Sequence, residues 1–205
     1  MLWVPITAQL VSLWRCNMHT VAIMEGFAGG PRISRTFRRA LEAAGFKITN
    51  PKHAEIIVAH SAACYDLPKQ SKAKIYMLIG PPHWPGLSII KRTRNKVQKD
   101  KEAILSTYGR KHWRKKKRLQ RFYIIVKPKY LWLVLNSNSK NLDFLEELQG
   151  KNVILVRNHD DDYCTPDIKD FTHDFKHVKY VSLPGGHDDC YTNPKPYIDL
   201  LLKEL

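Results

Sequence analysis

A serine, a group of carboxylates and a histidine each follow an apolar run of the sequence, in that order along the chain. Ser61 ends the run in "IIVAHSAA", Asp160, Asp161 and Asp162 follow "NVILVRNH", and His187 lies in "PGGHDDC". A serine hydroxyl becomes a good nucleophile only when a neighbouring imidazole takes its proton, and a carboxylate can hold that imidazole in the required tautomer. These residue types therefore predict acyl-transfer chemistry if the fold brings them together.

Each of the three signals also has a structural interpretation. Small residues such as those around Ser61 end many strands, a run of aspartates is commonly a solvated turn, and the chain has nine histidines in all. Functional groups of open parallel sheets, however, gather just beyond the carboxyl ends of the strands. Because all three groups stand at predicted strand ends, the sequence favours the catalytic interpretation.

The elements that must position these groups alternate along the chain. Apolar runs predict strands that begin near residues 20, 55, 74, 152 and 177, and "YLWLVL" is ambiguous between strand and helix. Helices are predicted at residues 33–44, in a short piece up to about residue 70, at residues 139–150, and at the C-terminus with Asn193 as its N-cap. This alternation predicts the α/β class, with a mostly parallel sheet and helices on both of its faces.

Over residues 18–205 the sequence resembles a small serine esterase of the α/β-hydrolase superfamily, and four motifs carry this resemblance. The "AHSAA" stretch resembles the G-x-S-x-G nucleophile elbow, and the order Ser, Asp, His is that of the superfamily. The "DYCTP" stretch resembles its D-x-x-x-P acid turn, "PGGHDDC" with the following helix resembles its histidine loop, and "EGFAGGP" resembles its H-G-F-G-G oxyanion loop. The sequence departs from the pattern at Ala59 and Ala63, which replace the elbow glycines, and at Glu25, which replaces the oxyanion-loop histidine.

The resemblance implies a function and a set of site residues. Ser61 is expected as nucleophile, Asp162 as acid and His187 as base, with the backbone N–H groups of Phe27 and Ala62 as oxyanion hole and with no metal or other cofactor. The Glu25 side chain is not required, because it precedes the amide that acts. The expected enzyme is an esterase- or lipase-like serine hydrolase that cleaves a carboxylic ester, or a thioester or amide, through an acyl-enzyme. The alternative is a catalytically weak scaffold that binds nucleic acid or another polyanion.

The charge distribution separates one segment from the rest of the chain. The net charge is +15, and residues 84–130 contain sixteen Lys or Arg against two acidic residues. We interpret residues 18–205 as one domain in which residues 84–130 form a basic helical cap or lid insert. Residues 91–121 are the candidates to bind an anionic surface or polyanion. A solvated lid without a ligand, and a lipid-facing lid that uses Trp84 and Trp113, are the alternatives. Residues 111–121 carry basic side chains on every helical face and are expected to be exposed.

Cysteine usage and the N-terminus bear on location. The four cysteines have neither a paired nor a zinc-like spacing, which predicts reduced thiols in a cytoplasmic protein. Residues 1–17 are apolar, but they lack the basic start of a signal peptide and are too short to span a bilayer. They are interpreted as an N-terminal extension without assigned function. The sequence leaves the substrate's acyl and leaving groups and the oligomeric state open.

Overall fold

The computed structural model describes residues 18–26, 34–83 and 142–205, together with separate positions between 98 and 129. Six strands form one sheet in these ranges: β1 (Thr20–Met24), β2 (Lys47–Ile48), β3 (Ile56–His60), β4 (Ile75–Ile79), β5 (Asn152–Asn158) and β6 (Val178–Leu183). Their order is β2-β1-β3-β4-β5-β6, and every neighbouring pair is parallel. The carboxyl ends of all six strands therefore lie along one edge.

The central strands are buried on both faces, which explains why they read as continuous apolar runs. Alternate residues of β3 point to opposite sides: Ile56 and Val58 join one apolar cluster, and Ile57 and Ala59 join the other. All five residues of β3 are buried, including His60. This strand carries the predicted nucleophile at its end, so the core itself fixes the direction of the chain into Ser61.

Helices cover the two faces of the sheet. The α-helices are α1 (Arg35–Ala43), α2 (Ile168–Thr172), α3 (Asp189–Thr192) and α4 (Lys195–Leu202), and 3-10 helices span Ser61–Tyr65 and Asp143–Leu148. Buried side chains of α1, α3 and α4 pack into the first cluster, whereas those of α2 and the Asp143–Leu148 turn pack into the second. The mostly parallel sheet with helices on both faces, predicted from the sequence, is confirmed.

The prediction of Asn193 as the N-cap of the last helix is wrong. Helix α4 begins after Pro194, whose φ of −70° is already helical, and the Asn193 N–H donates to the carbonyl of Asp189. Asn193 therefore closes the preceding short helix α3, which the sequence pattern did not predict. A proline ring presets the φ angle of a first helical turn, so it starts a helix without a side-chain cap.

Much of the predicted cap insert lies outside the described residues, as do residues 1–17 and "YLWLVL". The positions described between 98 and 129 are helical, and their basic side chains at 110, 111, 114, 117 and 118 are exposed as expected. Trp113, in contrast, is only 8% exposed, and the Lys117 ammonium lies 5.6 Å from the centre of its ring. The expectation of full exposure is thus wrong for the tryptophan. That these residues form a cap stays a prediction.

In the described part of the chain, no helix combines the length and the apolar character that crossing a bilayer requires.

Candidate active site

Ser61 has a left-handed backbone conformation. Its φ of +57° makes it the only non-glycine residue with a positive φ in the described part of the chain. This left-handed conformation costs an L-residue on the order of 1–2 kcal/mol, so it persists only where surrounding contacts impose it. β3 runs into the turn from one side, and the Ser61–Tyr65 turn leaves it with Ala62, Ala63 and Cys64 fully buried.

Gly26 brings the loop after β1 directly against this turn. A Cβ atom at Gly26 would lie 2.8 Å from both the His60 carbonyl oxygen and Ser61 Cβ, and 3.2 Å from the Ala62 nitrogen. Only glycine allows this approach, since two of these three atoms belong to the backbone. Of the two predicted oxyanion-hole residues, Ala62 therefore has its amide beside this loop. Phe27 lies outside the described residues.

The structure pairs His187 with Asp161, whereas the aspartate expected from the sequence as the acid is the next residue, Asp162. His187 Nδ1 lies 2.9 Å from Asp161 Oδ1 and 2.8 Å from Asp161 Oδ2. The side chain of Asp161 is fully buried and that of His187 is 10% exposed. Asp162 is only partly buried.

The backbone after β5 explains why Asp161 takes this position. Asp161 Oδ1 accepts hydrogen bonds from the backbone N–H groups of Tyr163, at 2.7 Å, and Cys164, at 3.2 Å. An aspartate that caps the N–H two residues later forms an Asx turn, which directs its side chain inward. Asp161 thus stands five positions before Pro166, whereas the D-x-x-x-P motif places its aspartate four positions before the proline.

The environment of Asp161 keeps its carboxylate charged despite burial. Desolvation by burial raises its pKa, but the facing His187 and the hydrogen bonds from His187, Tyr163 and Cys164 lower it by more. The net pKa of Asp161 is therefore lowered. A charged carboxylate at Nδ1 holds the His187 ring with its proton on Nδ1, which leaves Nε2 as the basic nitrogen.

Gly80, directly after β4, lies against the Asp161–His187 pair and leaves room for it. Its φ is +54°, and a Cβ atom there would lie 2.6 Å from Asp161 Oδ2 and 3.2 Å from His187 Nδ1. The space occupied by the Asp161–His187 bond is thus the space that any side chain at residue 80 would fill. The sequence contains the glycine, but nothing in its spacing to the other residues indicated this role.

Asn158 fixes the backbone that leads into His187. This fully buried residue at the end of β5 donates from Nδ2 to the Gly186 carbonyl, at 2.6 Å, and accepts at Oδ1 from the Tyr197 hydroxyl, at 2.7 Å. Helix α4, β5 and the histidine loop are therefore joined by one buried asparagine.

His60 is a further residue of the site that the sequence interpretation missed. Its ring is 5% exposed, its Nε2 lies 2.9 Å from the His187 carbonyl oxygen, and its ring centre lies 4.7 Å from that of His187. Burial, and next the neighbouring His187, lower the pKa of His60 to about 4. His60 is therefore neutral at pH 7.

Glu25 also has a structural contact that the sequence did not predict. Its Oε1 accepts hydrogen bonds from Ser34 Oγ, at 2.6 Å, and from Arg38 Nη2, at 2.8 Å. Glu25 thus links the end of β1 to helix α1. Its dispensability for catalysis stays a prediction.

One group of described residues offers three metal-ligand atoms, from His60, His187 and Asp188, all within 4.8 Å of one another. His60 Nε2 and His187 Nδ1 are both engaged in the hydrogen bonds given above. We therefore interpret the group as part of the hydrogen-bond network around His187. The expectation of a site without metal stays a prediction.

The cysteines near the site are packing residues. Cys64, Cys164 and Cys190 are free and buried, and burial raises the pKa of each thiol. Thiols with raised pKa values carry little of the reactive thiolate form. Cys164 and Cys190 are therefore core residues that lie close in sequence to Asp161 and His187.

Solved structures with the same architecture are numerous. No protein-family model matches the chain, and no curated protein matches it significantly. A hydrolase from Oleispira antarctica has a TM-score of 0.60 at 12% identity, with 91% of this chain and 90% of that chain covered. A carboxylesterase from the thaumarchaeon Nitrososphaera gargenis gives 0.57 at 13% identity, with coverage of 91% and 89%. A thioesterase domain from the curacin biosynthetic pathway gives 0.54 at 14% identity, with 91% of each chain covered. Because this likeness spans nine tenths of the chain, the protein has the α/β-hydrolase fold.

Proposed function

We propose that the protein is a serine hydrolase that cleaves a carboxylic ester through an acyl-enzyme, with Ser61, Asp161 and His187 as its triad. One observation carries the proposal: the strained serine turn ends β3 at the same sheet edge as the buried Asp161–His187 pair, which follows β5 and β6. A left-handed serine is costly, and such strain concentrates at functional sites. A thioester or an amide is the alternative substrate class.

The reaction follows from the residue types. His187 Nε2 takes the Ser61 proton while Ser61 Oγ attacks the carbonyl carbon of the ester, and the carbonyl electrons move to its oxygen. When the tetrahedral intermediate collapses, the bond to the leaving alkoxide breaks and His187 returns the proton to it. Water then repeats both steps on the acyl-enzyme, which releases the acid and regenerates Ser61. Asp161 stabilises the imidazolium form of His187 in each half-reaction.

The oxyanion is assigned to the backbone N–H groups of Ala62 and Phe27. The support for Ala62 is its position directly after the nucleophile and beside Gly26. The assignment of Phe27 rests on the glycine-rich sequence "EGFAGG" alone. Loss of one such donor typically lowers turnover on the order of 100-fold or more.

The comparisons support hydrolysis as the general reaction. The structural neighbours include esterases and a thioesterase domain. A cytoplasmic location belongs to the same proposal and is supported by the three free, buried cysteines. Binding of a polyanion through residues 91–121 rests on their charge alone.

Labelling with a fluorophosphonate, followed by a chain-length series of para-nitrophenyl esters, tests the proposal. Wild type should be labelled at Ser61 and should hydrolyse at least one ester, and Ser61→Ala and His187→Ala should each abolish both reactions. The double variant should be no worse than either single variant, because the groups act as one unit. Ser182→Ala, at an exposed position of β6, is the matched control and should behave as wild type.

The result also separates the two functional hypotheses. Only an activated serine reacts with a fluorophosphonate at a useful rate. A folded wild-type protein that is neither labelled nor active would favour the catalytically weak scaffold. Hydrolysis that survives in Ser61→Ala would end the serine-hydrolase proposal.

A further inference from the structure

His60 makes contact with both halves of the proposed catalytic machinery. Through its backbone it is the last residue of β3, and Ser61 in the left-handed conformation follows it directly. Through its side chain it reaches the loop after β6, where His60 Nε2 lies 2.9 Å from the His187 carbonyl oxygen. The two residues are 127 positions apart in sequence.

The contacts around the ring hold it in one orientation. The His60 ring packs against His187, at 4.7 Å between ring centres, and against Tyr191 of α3, at 4.9 Å in an edge-on arrangement. His187 also packs against Tyr163, at 4.7 Å between ring centres. His187 therefore contacts two rings, one of which belongs to the residue that precedes Ser61.

The chemistry of this bond fixes the tautomer of His60. A carbonyl oxygen only accepts hydrogen bonds, so His60 Nε2 must carry the proton and Nδ1 must be bare. The titratable groups that face the ring are His187 and Asp188 after β6, Asp161 after β5, and Tyr191 of α3. Burial lowers the pKa of His60 to about 4, so a second proton does not join the ring at neutral pH. A neutral ring beside His187 adds no positive charge that would oppose the imidazolium formed during catalysis.

We propose that His60 is a positioning residue: its Nε2–H bond to the His187 carbonyl sets the place of the base relative to the Ser61 turn. The inference rests on the proposed serine-hydrolase function and extends it to a residue outside the triad. The strained serine turn needs contacts that over-determine it, and this bond supplies one of them from the histidine loop itself. Proton transfer in turn requires the base within hydrogen-bond reach of the nucleophile.

Two substitutions at residue 60 separate the hydrogen bond from simple packing. His60→Gln places an amide N–H donor near the position of Nε2, whereas His60→Phe keeps an aromatic ring but has no donor. We expect His60→Phe to lower kcat for a para-nitrophenyl ester roughly 10- to 100-fold with KM nearly unchanged, since a small misplacement of a catalytic group has effects of this size. His60→Gln should recover most of that loss.

His177 provides the matched control. Its Nε2 also lies 2.8 Å from a backbone carbonyl, that of Leu145, in the part of the fold that packs against α2 and β6. His177→Phe removes the same type of bond and should leave kcat unchanged while the protein is folded. Equal losses of kcat in His60→Phe and His177→Phe would show a general effect of destabilisation, and the positioning role would be refuted.

Spectroscopy of the wild-type protein tests the same bond without any activity measurement. In ¹⁵N-resolved histidine spectra, one ring should carry its proton on Nε2 and remain neutral from pH 8 down to about pH 5, and this signal should disappear in His60→Gln. A His60 that titrates near pH 6.5, or that carries its proton on Nδ1, would overturn the proposal even if the variants failed to fold. Failure of the serine-hydrolase function would appear separately, as a wild-type protein that no fluorophosphonate labels.

Discussion

Replacement of Asp161 by asparagine tests the proposed acid most directly, because the structure dictates how the new side chain must be oriented. The backbone N–H groups of Tyr163 and Cys164 both donate to Oδ1, so the amide oxygen of an asparagine has to occupy that place. The amide NH₂ then replaces Oδ2, which lies 2.8 Å from His187 Nδ1. A carboxylate that accepts from Nδ1 is thereby exchanged for a group that donates to it.

This exchange reverses the tautomer of the base. With a donor at Nδ1, the neutral His187 ring carries its proton on Nε2, and it cannot take the proton of Ser61. The same substitution in the serine-protease template lowers kcat by about 10,000-fold, mainly through the wrong tautomer. We expect a loss of up to that size in Asp161→Asn, with KM little changed because the substrate does not contact the buried Asp161.

The assay compares three neighbouring aspartates in one experiment. Steady-state hydrolysis of a para-nitrophenyl ester is measured for Asp160→Asn, Asp161→Asn and Asp162→Asn, with circular dichroism as the control for folding. Asp160→Asn and Asp162→Asn should retain activity within about 10-fold of wild type, because neither residue replaces the carboxylate that the structure places at Nδ1. A loss confined to Asp162→Asn would refute the assignment of Asp161 and restore the sequence-based one.

Three further predictions concern the surroundings of the triad and the basic insert. Gly80→Ala should lower kcat at least roughly 10-fold in a folded protein, measured with the same ester, because its Cβ would lie 2.6 Å from the acid's Oδ2. The free energy of unfolding, measured in urea between pH 7 and pH 4, should depend more steeply on pH in wild type than in His60→Gln. His60 favours its neutral form in the folded state, so the wild type loses about 3 kcal/mol of stability as the pH falls from 6.5 towards 4, and the variant lacks this loss. Replacement of residues 115–117 by glutamine should weaken retention on heparin and flatten its salt dependence while ester hydrolysis stays unchanged, and identical elution would show that these lysines only solvate the surface.

The parts of the site that depend on where the strands end could be predicted from the sequence. Buried parallel strands are continuous apolar runs, so their ends are visible, and groups at the ends of parallel strands share one edge of the sheet. For this reason Ser61 and the Asp161–His187 pair follow the strands at which the sequence placed a nucleophile, an acid and a base. The position of polar residues after apolar ones indicated where these groups lie, and the resemblance to the α/β-hydrolase superfamily implied the role of each.

The choice among three consecutive aspartates could not be made in the same way. Asp160, Asp161 and Asp162 carry identical chemistry, and a shift by one residue turns a side chain in another direction. The Asx turn that Asp161 forms with Tyr163 decides between them, and it depends on backbone angles that a motif spacing does not contain. His60 was missed for a related reason, since its role exists only through a contact with a residue far away in sequence.

The glycines near Ser61 and Asp161 do not stand at the positions that the elbow motif predicts. The elbow motif asks for glycine where the chain has Ala59 and Ala63, yet both methyl groups are buried in the apolar cluster on one face of the sheet. Close approaches are instead made by glycines that follow neighbouring strands, namely Gly26 against the Ser61 turn and Gly80 against the Asp161 side chain. A tight turn needs small residues where other backbone segments approach it, either within the turn or in the segments beside it. In this chain the small residue beside the Ser61 turn is Gly26, in the loop after β1, so the turn itself can contain alanine at positions 59 and 63.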